Sequence, residues 1–482
     1  MTATVQEFSD LFIGGEWIPA ESDGMLDVVS PATGEVIARV PEPTDADADA
    51  AVAAARKAFD EGAWPRMSPS ERAEYISALR DQFAERLDEF NAAWTAESGP
   101  TLAHGAGLHG AVLNVYEDLI ARAQTLELSE RRELPDGTTV EVIRDPVGVA
   151  LTITTWNGPG LYMVMKIVPA LLAGCTVIVK SAIESPLTSR LLGEMFAAAG
   201  FPPGVVSILA ASTAVSEHLV THPDVDKVSL TGSIVAGRRI MALCADRLAN
   251  VTLELGGKSP AIIADDADLD DVMATLIPGF IAYNGQICAA LTRVLVSRRR
   301  YDEVLDRLVS ALGEVRVGDP TDPNTDQGPL GSERQLERVE GYVRSGIEEG
   351  ARVVIGGRRP PGLEQGFYYE PTIFADVTSD MKIAQEEIFG PVLSVIPYDT
   401  IEEAIRIAND TEYGLAGSVY TKDPDLARRV AREVQSGTFA INCAGVSLMA
   451  PFGGYKQSGF GRECGPEGLD EFLQIKSVLL GG

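Results

Sequence analysis

The sequence predicts an α/β protein in which a doubly wound unit is followed by a second α/β unit, and three observations lead there. Between Pro146 and Glu254 five short β-branched runs, GVALTITT, TVIVKS, VVSIL, KVSLTG and NVTLEL, alternate with helical stretches such as YMVMKIVPALLAG and TSRLLGEMFAAAG. Apolar runs without polar alternation belong to strands buried on both faces, and strand–helix alternation of this length implies a parallel sheet covered by helices. From Lys258 onward the alternation resumes with AIIAD, RVLVS, RVVIGG, VLSVIPY and SVYT as strands, and a chain of 482 residues exceeds a single core.

The remaining elements follow in order. LFIGGEWIPA and DVVSPATGEVIARVPE are short apolar runs broken by turn residues, read as small strands. Thr44-Asp45-Ala46-Asp47 opens an Ala-rich helix. Ser68-Pro69-Ser70-Glu71 is a capping box with proline at the first helical position, predicting one long helix toward Trp94. Helices of the second unit are DDVMATLIPGFIAY, YDEVLDRLVSAL, RVEGYVRSGIEEG and TIEEAIRIAN. TLELSERRELPDGTTVEVIR carries a Pro-Asp-Gly turn between alternating strands, and the chain ends in QIKSVLLGG. Such a hairpin and an apolar tail strand need a sheet to join, and another subunit is one way to supply it.

Composition excludes some functions. Lys and Arg number 40 against 70 acidic residues, a net charge of −30 that repels nucleic acid and anionic lipid. No apolar run approaches the ~20 residues of a membrane span. The start, MTATVQEFSDLFIGGEW, lacks the basic and apolar blocks of a secretory signal, so a cytoplasmic location is expected. Cys175, Cys244, Cys288, Cys443 and Cys464 are odd in number and show no CxxC spacing, as expected of thiols in a reducing compartment. His218 and His222 lie one helical turn apart with no carboxylate motif beside them, which fits a solvated helix end, and no metal is expected.

Several segments combine reactive side chains with permissive backbone. Gly285-Gln286-Ile287-Cys288 sets a cysteine in an open loop, suited to a nucleophile or to a structural thiol. Leu253-Glu254-Leu255-Gly256-Gly257-Lys258 ends a strand in a glutamate, either a surface turn acid or an acid exposed in a cleft. Asn157 of Trp156-Asn157-Gly158-Pro159 is a turn residue or an amide donor to an anionic oxygen. Lys180 ends TVIVK at the ligand-facing edge of the sheet, well placed for ribose hydroxyls. Leu230-Thr231-Gly232-Ser233 runs from a strand into a helix start, where N–H groups bind phosphate, although no GxGxxG is present. Glu386-Glu387-Ile388-Phe389-Gly390-Pro391-Val392, Asn442 and Pro451-Phe452-Gly453-Gly454-Tyr455-Lys456-Gln457-Ser458-Gly459 read as loops closing over a site or as tight corners.

In this order the segments closely resemble the aldehyde dehydrogenase superfamily, from LFIGGEW to KSVLL. LELGGKSP, the GQxC segment 34 residues beyond its glutamate (288 − 254), EEIFGPV and PFGGYKQSG are the most specific parts. The resemblance implies a Rossmann-like NAD(P) domain over residues 1–123 and 147–255 and a catalytic domain over 256–450. Residues 124–146 and 468–482 would then form an oligomerisation hairpin and tail, making a homodimer or homotetramer. It implies that Cys288 attacks an aldehyde, that Asn157 and the Cys288 N–H hold the oxyanion, and that Glu254 activates water on the thioester. Cofactor contacts would come from Trp156, Lys180, Glu184, Gly232, Ser233, Leu255, Glu387 and Phe389, with Glu463 of GRECG matching a proton-relay acid. Two alternatives remain: a CoA-acylating relative, which usually lacks the LELGG glutamate, and a silent structural or binding member, expected to lose Cys288, Glu254 or Asn157. A cysteine hydrolase lacks its base, since no histidine lies in any motif.

Departures from the family pattern concern selectivity. Lys180-Ser181-Ala182-Ile183-Glu184 has Ile183 where many NAD-preferring relatives have an acid, so NADP stays open beside NAD. After the third strand, ALAASTAV stands where many members have a glycine pair. Gly158 and Met165 replace bulkier family residues, and Ile287 and Ala289 flank the cysteine, which leaves room for a long or bulky apolar aldehyde unless other side chains refill it. No arginine stands at a recognised channel position, which disfavours a short carboxylated semialdehyde.

Overall fold

The structure, a computed structural model, describes residues 5–480. The first alternating region forms five parallel strands: β1 (Val149–Ile153), β2 (Thr176–Ser181), β3 (Val206–Ala210), β4 (Lys227–Thr231) and β5 (Asn250–Glu254). Their order is β5-β4-β1-β2-β3, with Gly459–Phe460 added antiparallel to β5 and Asp10–Ile13 antiparallel to β3. Alternate side chains feed opposite layers. Val177 and Val179 of β2 enter one core with Met163 and Phe196, while Ile178 enters another with Val52 and Leu219. Both faces are apolar, so the strands carry no polar alternation. The chain leaves β1 and β4 toward opposite sides of the sheet, which opens a crevice past their carboxyl ends.

The second unit is also wound around parallel strands: β6 (Ser259–Ile263), β7 (Leu291–Ser297), β8 (Thr372–Ala375), β9 (Val392–Tyr398) and β10 (Ser418–Tyr420). They are ordered β8-β9-β7-β6-β10, with Arg352–Ile355 antiparallel at one edge and Ala440–Ile441 parallel at the other. Ser129–Glu133, Thr139–Pro146 and Leu473–Leu480 form a separate three-stranded sheet in which the hairpin pairs with the tail strand. Its outer strand Ser129–Glu133 is exposed throughout.

Thr44 and Ser68 cap their helices with both bonds of the capping box. The helix beginning at Pro69, however, stops at Glu85, and a second runs over Leu87–Ser98. Arg86 departs from helical geometry at φ −105°, ψ 19°, and its guanidinium reaches Glu194 of a neighbouring helix at 2.8 Å. Helix Leu102–Ala123 has little sequence signal because Gly105, Gly107 and Gly110 dilute its pattern. The YMVMKIVPALLAG stretch is interrupted by a π turn, Met163–Ile167, between Pro159–Tyr162 and Val168–Ala173. His218 pairs with Asp49 at 2.6 Å, and His222 lies 3.7 Å from the same carboxylate.

Candidate active site

The two units meet end to end. Segments leaving the carboxyl ends of β1, β4 and β5 bring Asn157, Gly232-Ser233 and Glu254 to one side. Segments entering the amino ends of β7 and β9 bring Cys288 and Glu387 to Phe389 to the other. A cavity of about 510 Å³ lies between them, lined by Trp156, Asn157, Gly232, Ser233, Leu255, Cys288, Glu387 and Phe389 among others.

Cys288 is half-buried, and three consecutive left-handed residues deliver it. Tyr283 (φ 46°, ψ 38°) and Asn284 (φ 59°, ψ 34°) precede Gly285 (φ 68°). Left-handed geometry costs a non-glycine residue roughly 1–2 kcal/mol, so the fold must hold it in place. Tyr283 Oη donates to the Ser98 carbonyl at 2.9 Å, and its ring packs edge-on against Trp94 and Trp156. Asn284 Nδ2 donates to the carbonyls of Gly328, at 2.9 Å, and Pro329. Gln286 is sealed and accepts from the Gly331 N–H at 3.0 Å. Burial pushes the Cys288 thiol up to about 12, with the Glu387 and Glu254 carboxylates acting in the same direction.

Glu254 ends β5 at 2% exposure, and neither carboxylate oxygen has a hydrogen-bond partner among the described residues. Burial, and then the charge of Glu463, raises its proton affinity well above that of an ordinary carboxylate. Glu463 is buried with Lys166, which donates to it, and accepts from Ser229 Oγ at 3.2 Å. The glycine pair after Glu254 is required by close approach. A Cβ at Gly256 would collide with the Glu387 carboxylate, and one at Gly257 with the Cys288 carbonyl. Glu387 accepts from the Gly257 N–H at 3.1 Å, and burial pushes its carboxyl up to about 7.

The dinucleotide side is shaped by β4, which ends in Thr231-Gly232-Ser233 at the start of helix Ile234–Ala245. Ser233 caps that helix, and Leu255 packs against its Gly237. Phe389 stands at φ 62° with its ring 5.8 Å from Trp156 in a T-shaped pair. Lys180 is half-buried at the end of β2, and burial lowers its ammonium pKa. Glu184 and Ile183 line an adjoining cavity of about 270 Å³, where Glu184 lies 3.5 Å from Arg334. A helix start, a strand-end lysine and cationic Arg334 and Arg338 on the cavity wall fit a dinucleotide with a central pyrophosphate. Neither Glu254 nor Lys180 is among the residues lining the main cavity, and Glu184 belongs to its neighbour.

Thr155, Tyr162, Arg334, Gln335 and Arg338 also line the cavity but are not singled out by any sequence motif. Arg334, Gln335 and Arg338 begin helix Glu333–Glu348 behind its Ser332 cap, a start that is legible locally, whereas its entry into the cleft is not. Gln335 donates to the Phe389 carbonyl at 2.6 Å and Arg338 to Ile388 at 3.0 Å, which clamps the Glu387 segment. Among the described residues no group of three or more His, Cys, Asp or Glu is arranged to hold a metal, and no helix is long and apolar enough to cross a membrane.

Comparison with known proteins matches residues 17–478 to the model of the aldehyde dehydrogenase family. Geranial dehydrogenase of Castellaniella defragrans is 42% identical over 98% of both chains. Betaine aldehyde dehydrogenase of Bacillus subtilis is 40% identical over 97% of this chain and 96% of its own. The crystal structure of Mycobacterium tuberculosis aldehyde dehydrogenase complexed with NAD+ superposes with a TM-score of 0.97, at 46% identity over 99% of each chain.

Proposed function

The chain belongs to the aldehyde dehydrogenase family and is an NAD-dependent aldehyde dehydrogenase; we propose that it works through a Cys288 thioester hydrolysed with Glu254 as base. The observation that carries this reading is the meeting of Cys288, the Asn157 amide and the cofactor-sized cavity, with the unpartnered Glu254 carboxylate close enough to perturb the thiol.

With the thiol held high, Cys288 becomes a nucleophile only as its proton leaves, and Glu254, whose burial raises its proton affinity, receives it. Sγ adds to the aldehyde carbon. Asn157 Nδ2 and the Cys288 N–H hold the oxygen as it gains charge. A bound dinucleotide, held by Gly232, Ser233, Lys180 and Glu387, supplies the hydride acceptor. Glu254 passes its first proton toward Glu463, whose Oε2 has no hydrogen-bond partner among the described residues. It then deprotonates the water that adds to the thioester carbon, and the acid departs as Cys288 Sγ regains a proton. Cys288→Ala is expected to abolish cofactor reduction while leaving NAD binding intact. Turnover persisting in that variant, measured by NADH absorbance, removes the mechanism.

The substrate we infer is a long or bulky uncharged aldehyde. Relatives named for geranial and for betaine aldehyde match at nearly equal identity, so similarity does not choose between them. The reading is supported by Met165, Leu415, Phe452, Leu161 and Leu448, which form an apolar cluster with Cys288. In an NAD and NADP reduction screen over aldehydes of graded length, kcat/KM is expected to rise with apolar size. A preference for short charged aldehydes overturns this assignment. Residues 1–123 with 147–255, and 256–450, serve as cofactor and catalytic domains, and 124–146 with 468–482 pair with another copy. Ile475 and Leu479 are 73% and 71% exposed on the tail strand, which supports that pairing; a monomer in sedimentation equilibrium refutes it.

A further inference from the structure

The Asn157 amide is held at both ends. Its Nδ2 donates to the Gln286 carbonyl at 2.9 Å, two residues before the nucleophile. Its Oδ1 lies 2.6 Å from Thr155 Oγ1 and 2.8 Å from Tyr162 Oη, and these two hydroxyl oxygens are 2.5 Å apart, so that with one proton apiece one hydroxyl donates to the other, which donates to Oδ1. A flipped amide would set Oδ1 against the Gln286 carbonyl, two acceptors facing each other, so only one orientation satisfies all four groups. Thr155 lies just past the end of β1 and Tyr162 ends the helical turn Pro159–Tyr162, and both border the cavity beside Cys288.

We propose that Thr155 and Tyr162 are positioning residues that act through Asn157. With Oδ1 occupied by the hydroxyl pair and one Nδ2 proton taken by Gln286, the remaining Nδ2 proton has a single direction left. Hydrogen bonds accepted at an amide oxygen also draw electron density from its nitrogen, which strengthens the remaining N–H as a donor. The hydroxyl pair thereby sets both the aim and the strength of the amide before substrate arrives, and no reorganisation is needed as the oxygen gains charge. Tyr162 is 4% exposed, so its hydroxyl meets little competing water. The inference rests on the oxyanion role proposed above for Asn157.

Single-turnover NADH bursts at saturating cofactor separate the two. Asn157→Ala is expected to slow the burst roughly 100-fold or more. Tyr162→Phe and Thr155→Val should each slow it roughly fivefold to tenfold, with aldehyde KM changed by less than about twofold, and Thr155→Ser should restore the rate. In the Asn157→Ala background both hydroxyl variants should lose less than about twofold, because the group they orient is gone. A loss of undiminished size in that background overturns the inference, since the hydroxyls then act on their own. Bursts of Tyr162→Phe and Thr155→Val within about twofold of the unmodified enzyme overturn it too, while leaving the role of Asn157 intact. If Asn157→Ala itself bursts normally, the oxyanion reading falls first. Should Tyr162→Phe not fold, the Val and Ser variants at Thr155 decide alone.

Discussion

Glu97 and Glu254 are two sealed glutamates, 1% and 2% exposed, in opposite circumstances. Glu97 accepts from the Leu187 N–H at 2.7 Å, the Thr188 N–H at 3.0 Å and Thr188 Oγ1 at 2.6 Å. Those groups form the first turn of helix Pro186–Ala198, so the carboxyl caps a helix start and ties it to helix Leu87–Ser98. Burial pushes Glu97 up to about 8 against the pull of these bonds. Glu254 has no such bonds, and its proton affinity is raised by burial and then by Glu463. A buried acid with its bonds satisfied is architecture, whereas one left unsatisfied behind a cleft wall is poised to exchange protons.

The contrast is broken most directly by Glu254→Gln. Thioester hydrolysis is expected to fall by about 10²–10⁴; the first-turnover NADH burst falls too, because the same carboxyl takes the Cys288 proton, but by a smaller factor, and the melting temperature is unchanged or raised. Equal losses in both phases would remove the water-activating role. Glu97→Gln should do the reverse. It turns an acceptor oxygen into an NH2 facing the helix N–H groups, so stability drops by about 1–3 kcal/mol while kcat at saturating NAD stays within about twofold. Thermal melts beside steady-state assays read both numbers. The smallest loss is expected from Glu463→Gln, which removes the acceptor of the first proton and a charge while leaving Glu254 in place. Glu254 works ionised, so hydrolysis declines as pH falls through its pKa. The Glu463 charge raises that pKa, and removing it moves the acidic limb of the profile to lower pH. A limb that stays in place or moves upward would mean that Glu463 does not tune the base.

The distinction between the two acids was only half visible in the sequence. Glu254 ends an apolar run before two glycines, and a charge there is conspicuous, as are Cys288 and Asn157 within their motifs. Glu97, in the middle of AAWTAESGP, has no comparable mark, because its partners lie about 90 residues away at Leu187 and Thr188. Parallel strands declare themselves because both faces are buried, and capping boxes because they are local. Arg338 and Tyr162 stay silent for the opposite reason: their roles depend on carbonyls and amides that only tertiary folding brings near. The break at Arg86 is likewise set by Glu194 in another helix, not by the residues beside it.

The left-handed run Tyr283-Asn284-Gly285 carries a lesson for protein engineering. Its conformation is imposed by Ser98, Gly328 and Pro329, so random substitution there would spend most of a library on chains that misplace the sulfur. Gly285 accepts no Cβ without striking the Gly390 carbonyl, and a one-residue deletion would turn the cysteine away from Asn157. Retargeting the enzyme to other aldehydes is better attempted at Leu161, Met165 and Leu448, which pack in the apolar cluster with Cys288 and do not belong to the segment that presents it.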